Sequence, residues 1–458
     1  MAVLGLPRPV PQSVRAPHSF SPKGYSSVDL LEKFKTKRGR IVVVGIGYVG
    51  LPLVAEFARE GFRVTGLDYD TRKVALLNQG ESYIRDVPSS DLAPHVQAGR
   101  LDATADPAVL READAVVVCV PTPLNKTKDP DMTFIVEAAD QIRKHQHPGM
   151  LVVLESTTYP GTTTELLVPK LTEKSFQLGR DVFVAFSPER VDPGNEVYKT
   201  RNTPKVLGGA TPSCLAVATA LYSHVIERLV PVSSTETAEM VKLLENTFRA
   251  VNIGLANEIA LMSRKLQVNP FEVIRAAATK PFGFMPFYPG PGLGGHCIPV
   301  DPLYLSWKLK SLKGQARFIE LADSINSGMP AYVVERVADA LNQSCKSLKG
   351  SSVLVYGVAY KKNVNDVRES PAFEVIEGLE HKGARVAFSD PFVSSIELPS
   401  GERKAVAPEF SAYDVVVVIT DHDALDRQRL AREAQLVVDT RDALAKVEMA
   451  DRSRVFAL

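Results

Sequence analysis

The chain has 458 residues, 45% of them hydrophobic and 23% charged, a composition that excludes wholesale disorder and a length that calls for two or three domains. With 54 Lys plus Arg against 53 Asp plus Glu the formal net charge is +1, so no global charge excess draws nucleic acid or an anionic membrane, and an anionic ligand has to be held locally. Cys119, Cys214, Cys297 and Cys345 stand far apart with no CxxC pair, which argues against a disulfide framework or a thiolate metal site and for a reducing compartment.

Residues 1–38 hold several prolines and basic residues but no apolar segment of the kind a secretory signal needs; they read as a flexible extension, with a short helix at Val28 to Phe34, on a cytoplasmic protein. The longest apolar runs, Ala115 to Val120 and Val415 to Ile419, fall well short of the roughly 20 residues of a membrane span. From Arg40 onward β-rich runs at 41–44, 62–68, 114–120, 150–156, 181–187 and 204–210 alternate with amphipathic segments, predicting a parallel sheet covered by helices over 39–232. Near residue 233 the period changes. Ser233 and Glu236 have capping-box spacing, and a proline-free stretch to about Val268 carries apolar residues at Met240, Leu243, Leu244, Phe248, Val251 and Leu255. Such a helix spans on the order of 50 Å and can join two domains. Helical patterning resumes from about Pro302 to Leu341, giving a helical region over 233–345. Strand runs at 353–359, 384–390, 414–420 and 436–440, with a helix around 371–382, then repeat the opening logic over 346–458, Gly357 and Asp390 standing where Gly45 and Asp68 stood. The fold class is α/β: two Rossmann-like doubly wound domains joined by a long central helix.

Gly45, Gly47 and Gly50 form GxGxxG directly after a β-branched strand and before a helix, with Asp68 closing the next strand eighteen residues later. Glycines let the backbone approach a pyrophosphate at a helix N-terminus, and the acid accepts hydrogen bonds from ribose hydroxyls, favouring NAD over NADP. Tyr48 and Val49 belong to the same turn, and Arg72 lies close enough to soften that preference. The segment 281–302 breaks both periodicities with glycine and proline, so it is a loop; within it Cys297 and Asp301 are four apart beside His296. A thiol on a loop entering a helix can be activated by the helix dipole, although an isolated cysteine is more often inert packing. Lys242 and Asn246 share one helix face and could stabilise an oxyanion; spacing alone equally fits a solvated face.

Together these residues resemble the UDP-glucose/GDP-mannose dehydrogenase family over nearly everything from Arg40 to Asp442. GIGYVGLPL is followed in family order by PTP (121–123), ESTTYPGTT (155–163), SPER (187–190), ExxKLLENT (239–247), GLGGHCIPVDP (292–302) and GVAYKKNVNDVRESPA (357–372). The resemblance implies an enzyme that uses NAD to oxidise a nucleotide sugar twice at C6, from alcohol to acid, for surface polysaccharide. Cys297 is then the nucleophile, Lys242, Asn246 and Asp301 stabilise oxyanions and organise water, Glu189 is the acid of SPER, and Thr122 lies beside sugar, water and cofactor. Arg368 falls near the cofactor, and Arg190, Tyr288, Gly294 and Lys361 fall with the UDP-sugar. It also implies that the central helix builds a homodimer, with Lys280 reaching the partner's sugar nucleotide, and it implies no metal.

Cysteine chemistry suits the double oxidation, because a thiohemiacetal gives the aldehyde carbon a hydrogen to lose and leaves a thioester for water to open. Val300 replaces the lysine usual in the UDP-glucose branch, His296 precedes the thiol, and SPERVDPG replaces SPEFLxEG, so Pro193 takes the second glutamate position and Arg190 enters. The variant is similar to the branch acting on UDP-N-acetylhexosamines, UDP-N-acetylglucosamine first, with the mannosamine and galactosamine epimers and UDP-glucose as alternatives. A two-electron hydroxyacid dehydrogenase and a redox-sensing nucleotide binder are the other readings; each leaves part of this pattern unused.

Overall fold

The computed structural model describes residues 27–84, 86–125, 128–173, 175–191, 195, 197–295 and 298–458; His296, Cys297 and Pro193 lie outside the described residues. In the first domain eight strands, β1 (Arg40–Val44), β2 (Arg63–Leu67), β3 (Leu101–Thr104), β4 (Ala115–Val118), β5 (Met150–Leu154), β6 (Val182–Phe186), β7 (Lys205–Gly209) and β8 (Leu229–Val232), form one sheet in the order β3-β2-β1-β4-β5-β6-β7-β8. The first six strands have the doubly wound order, so the chain reverses direction across the sheet between β1 and β4 and opens a crevice at their C-terminal ends. β7 departs from the all-parallel expectation by pairing antiparallel with β6.

The helices of this domain are α1 (Ser27–Lys35), α2 (Gly50–Arg59), α3 (Thr71–Asn78), α4 (Ala93–Gln97), α5 (Thr133–His145), α6 (Val168–Thr172) and α7 (Pro212–Tyr222). Central strands are buried along their whole length, and alternate residues feed two cores: Val43, Val117 and Val153 on one face, Val42, Val116 and Val152 on the other. The flexible extension through residue 38 is corrected over 27–38. Leu30 and Phe34 of α1 are 2% and 0% exposed in the first of those cores, and Lys33 Nζ lies 2.5 Å from Asp114.

The central helix α8 (Thr235–Leu266) has 32 residues, about 48 Å at 1.5 Å per residue. Its cap is Ser234 rather than Ser233: Ser234 Oγ accepts the Thr237 N–H at 3.1 Å, while Glu236 accepts the Thr164 hydroxyl. After α9 (Pro270–Ala277) the helical patterning expected from about Pro302 to Leu341 is carried by two helices, α10 (Asp301–Ser311) and α11 (Arg317–Gln343). They break where Lys313 takes a positive φ. α8 and α11 cross so closely that a Cβ on Gly254 would meet Ala322 at 3.2 Å. Of the apolar stripe predicted on α8, Leu243 is buried, but Met240, Leu244, Phe248 and Leu255 are exposed.

The last domain is built on β9 (Ser352–Tyr356), β10 (Arg385–Ser389), β13 (Val415–Val418), β14 (Val437–Asp439) and β15 (Val455–Ala457), all parallel in the order β10-β9-β13-β14-β15. A hairpin of β11 (Ser395–Leu398) and β12 (Gly401–Lys404) is added, and α12 (Pro371–His381) and α13 (Arg427–Glu433) pack on this sheet. No helix among the described residues is long and apolar enough to cross a membrane.

Candidate active site

The glycine turn leaves β1 with Gly45 at φ 88°, where a Cβ would strike the Cys119 carbonyl at 2.7 Å. A Cβ on Gly50 would sit 1.9 Å from the Gly45 carbonyl, so Gly50 lets α2 start hard against the strand, whereas a Cβ on Gly47 meets nothing within 4 Å. That open side at a helix N-terminus is the cradle a pyrophosphate needs. Asp68 Oδ2 accepts the Ile46 N–H at 3.0 Å, which ties this acid to the turn. Lys73 reaches Asp68 at 3.5 Å, while Arg72 pairs with Asp70 and is 88% exposed. Tyr48 is exposed, and Val49 precedes the first turn of α2.

One face of α8 carries the polar centre. Lys242 Nζ donates to Thr157 Oγ1 at 2.5 Å, and Asn246 Nδ2 donates to Asp301 Oδ2 at 2.6 Å. Asp301, at the start of α10, is 2% exposed; burial pushes its carboxyl up to about 6 against the pull of Lys242 and Asn246. The half-buried Thr122 is joined to this group through its carbonyl, which accepts the Tyr304 hydroxyl of α10 at 2.8 Å. A turn earlier on α8, Glu239 accepts the backbone N–H of Gly161 and both the N–H and hydroxyl of Thr163. Burial raises its carboxyl to about 7. The ESTTYPGTT loop is thus fastened along α8 at Glu236, Glu239 and Lys242.

Glu189 follows β6. Its Oε1 accepts the N–H groups of Arg190 and Val191, each at 2.7 Å, and its Oε2 lies 3.5 Å from Lys205 Nζ. Burial pushes the carboxyl up, but Lys205, those two N–H groups and Lys242 outweigh it and leave Glu189 below the ordinary glutamate value. Arg190 binds Glu245 of α8 at 2.5 Å and the Pro204 carbonyl at 2.7 Å, so its guanidinium is engaged within the protein.

The last domain closes over both parts. Arg368 pairs with Asp366, lies 5.2 Å over the Tyr48 ring, and through its carbonyl accepts the Gly295 N–H at 3.1 Å, touching the cofactor turn and the cysteine loop at once. Tyr360 packs where a Cβ on Gly294 would be, and Lys361 is half-buried on the same loop. Tyr288 stacks on Phe271 at 6.4 Å, and the exposed Lys280 lies over Phe282. The second glycine turn differs from the first. Asp390 Oδ2 accepts the N–H groups of Val358 and Ala359 and faces His422 Nε2 at 3.1 Å, with both side chains fully buried. His422 Nδ1 accepts the Asn363 N–H, so Nε2 carries the proton toward Asp390.

The sequence reading missed Thr157, Glu239, Tyr304 and the buried set of Glu155, Lys205 and Tyr222. A lysine inside an otherwise apolar strand, PKVLGGA, was the signal available for Lys205. Cys119 is buried in the first of the two cores, and burial together with the Glu155 carboxylate raises its thiol well above the usual value.

A glycine turn shaped for a dinucleotide, together with a lysine, an asparagine and buried carboxylates gathered along α8, has the parts of a nicotinamide-dependent dehydrogenase. The chain matches the NAD binding domain of the UDP-glucose/GDP-mannose dehydrogenase family over residues 39–226, its central domain over 236–328 and its UDP binding domain over 354–446. It belongs to that family and is an NAD-dependent oxidoreductase. It is 35% identical over 387 residues to UDP-N-acetyl-D-glucosamine 6-dehydrogenase of Pseudomonas aeruginosa, covering 84% of this chain and 90% of that one. It is 36% identical over 400 residues to UDP-N-acetyl-D-mannosamine dehydrogenase of Salmonella typhimurium, covering 84% and 93%. Among solved structures, a UDP-N-acetylmannosamine dehydrogenase from Pyrococcus horikoshii superposes with a TM-score of 0.83 at 31% identity, over 91% of this chain and 98% of that one.

Proposed function

We propose that the protein oxidises C6 of a UDP-N-acetylhexosamine, UDP-N-acetylglucosamine first among the epimers, from alcohol to carboxylic acid. The observation that carries this reading is the convergence of Lys242, Asn246 and Asp301 at the end of the loop bearing Cys297. Gly45, Gly47 and Gly50 would hold NAD, which would supply the hydride acceptor for each oxidation. Lys242, held by Thr157, stabilises the oxygen charge that develops at C6. The Cys297 thiolate adds to the aldehyde, and the resulting thiohemiacetal is oxidised to a thioester. Asp301 and Glu189 are the two carboxylates available to draw a proton from the hydrolytic water. Relatives named for glucosamine and mannosamine substrates lie at nearly equal identity, so the epimer is assigned by assay: purified protein with NAD and a panel of UDP-sugars gives two NADH per sugar consumed, and a ratio of one overturns the reading.

We also propose a homodimer in the cytoplasm, where reduced thiols and NAD coexist. Met240, Leu244, Phe248, Leu255 and Met262 expose an apolar stripe on α8, and Phe318 and Leu321 extend it on α11. A patch of that kind on a helix otherwise packed inside the protein is an interface waiting for a second copy. We assign substrate contacts to Tyr288, Gly294 and Lys361, and a reach toward the partner's site to Lys280.

A further inference from the structure

Lys205 is a rare object, a lysine 5% exposed at the first residue of β7. Its Nζ lies 2.8 Å from Glu155 Oε2 at the end of β5 and 3.5 Å from Glu189 Oε2 after β6. The Tyr222 hydroxyl of α7 donates to the other Glu155 oxygen. Cys119, after β4, and Lys242, on α8, complete the charged and titratable groups acting on this set. A buried ion group of this size is weak evidence for stability, since desolvating the charges cancels most of their attraction; its retention needs another reason.

We propose that Lys205 is the positioning residue of the hydrolytic step, the buried counter-charge that fixes the Glu189 side chain for the water that opens the thioester. The inference rests on the double oxidation proposed above. Glu189 Oε1 is taken by two backbone N–H groups, so Oε2 is the oxygen left to act, and Lys205 is its partner. Glu189, Lys205, Pro188 and Thr203 line a cavity of about 10 Å³, room for about one water. In the step, the water oxygen bonds to the acyl carbon, one water proton passes to Glu189 and the other stays with the acid. The carbon–sulfur bond breaks, and the electron pair leaves on the Cys297 thiolate. Glu155, itself held by the Tyr222 hydroxyl, is the nearer partner of the Lys205 ammonium and anchors it.

The charge of Lys205 works in the same direction, because it lowers the Glu189 carboxyl against the cost of desolvation. Lys205→Met therefore slows hydrolysis more than either oxidation. Mixed with NAD and the accepted UDP-sugar, the variant shows a rapid burst of two NADH per site followed by slow turnover. The intact-protein mass gains the acyl group, and the rising limb of the pH profile moves up by more than one unit. Lys205→Arg stays close to wild type in all three. Should Lys205→Met fail to fold, Lys205→Gln, which keeps a hydrogen-bond donor without charge, takes its place. A neutral variant with no burst, no acyl mass and an unshifted pH limb overturns the role of Lys205, whether its turnover is unchanged or uniformly reduced. Wild-type protein that fails to yield two NADH per sugar overturns the function itself.

Discussion

Asn257 on α8 donates to Asn326 on α11 at 2.8 Å, with the two residues 0% and 3% exposed where the helices cross. Asn326 passes its own N–H to the Ala250 carbonyl, and Asn257 Oδ1 accepts the N–H of Gly290 at 2.9 Å. The loop that leads to the cysteine is therefore hung from two long helices by a buried amide pair, while Arg441 of the last domain packs on the far side of Gly290. Asn257→Ala leaves the Gly290 N–H and the Asn326 carbonyl oxygen without partners, at a cost of about 1–3 kcal/mol each. Urea unfolding registers that loss, and a changed alkylation rate at Cys297 registers the released loop; unchanged values in both refute the arrangement.

Asp301 gives a pH dependence with a definite sign. Its folded value, about 6, lies above the ordinary aspartate value, so the folded chain holds the proton more firmly than the unfolded one. Its contribution favours folding at low pH and is lost as the pH climbs through about 6. Asp301→Asn accordingly melts higher than wild type at pH 8, with the difference gone near pH 4. Paired melting curves at the two pH values check this.

Two glycines of one turn should answer differently to alanine. At Gly47 the new methyl meets no protein atom, so Gly47→Ala keeps its melting temperature but weakens NAD binding by tenfold or more, because the methyl occupies the pyrophosphate approach. At Gly50 the methyl collides with the Gly45 carbonyl, so Gly50→Ala loses fold stability together with NAD affinity. Calorimetric titration beside thermal melts separates the two; equal behaviour contradicts the geometry.

The α8 stripe predicts an oligomer that one charge disrupts. Leu244, 58% exposed, lies on the stripe and away from Lys242 and Asn246. Leu244→Glu shifts the protein to a monomer in light scattering after gel filtration, whereas a wild type already monomeric at micromolar concentration removes the dimer proposal.

Much of this was legible in the sequence for reasons that can be named. β1, β4, β5, β6, β9 and β13 are buried on both faces and so appear as unbroken apolar runs. β3 and β8 have 4 residues each, mixed with polar or proline positions, and β15 has only 3, too short for a period to show. The apolar stripe of α8 was read correctly as a stripe, but periodicity reports that a face is apolar and not what covers it. Ser234 in place of Ser233 reflects a choice between adjacent serines that only backbone geometry makes. The Lys205 group was beyond reach because its partners Glu155 and Glu189 come from neighbouring strands, and pairing across a sheet is invisible to local spacing.

The plugged acid of the second turn has a consequence for order in time. Asp68 stands half-buried at the first turn, whereas Asp390, its counterpart, is spent on four backbone N–H groups and His422. Among the described residues only the first turn keeps its acid open in this way, so on the proposed double oxidation one dinucleotide berth serves both steps. On that reading the half-oxidised sugar waits while the berth is emptied and refilled, tethered by a bond to Cys297.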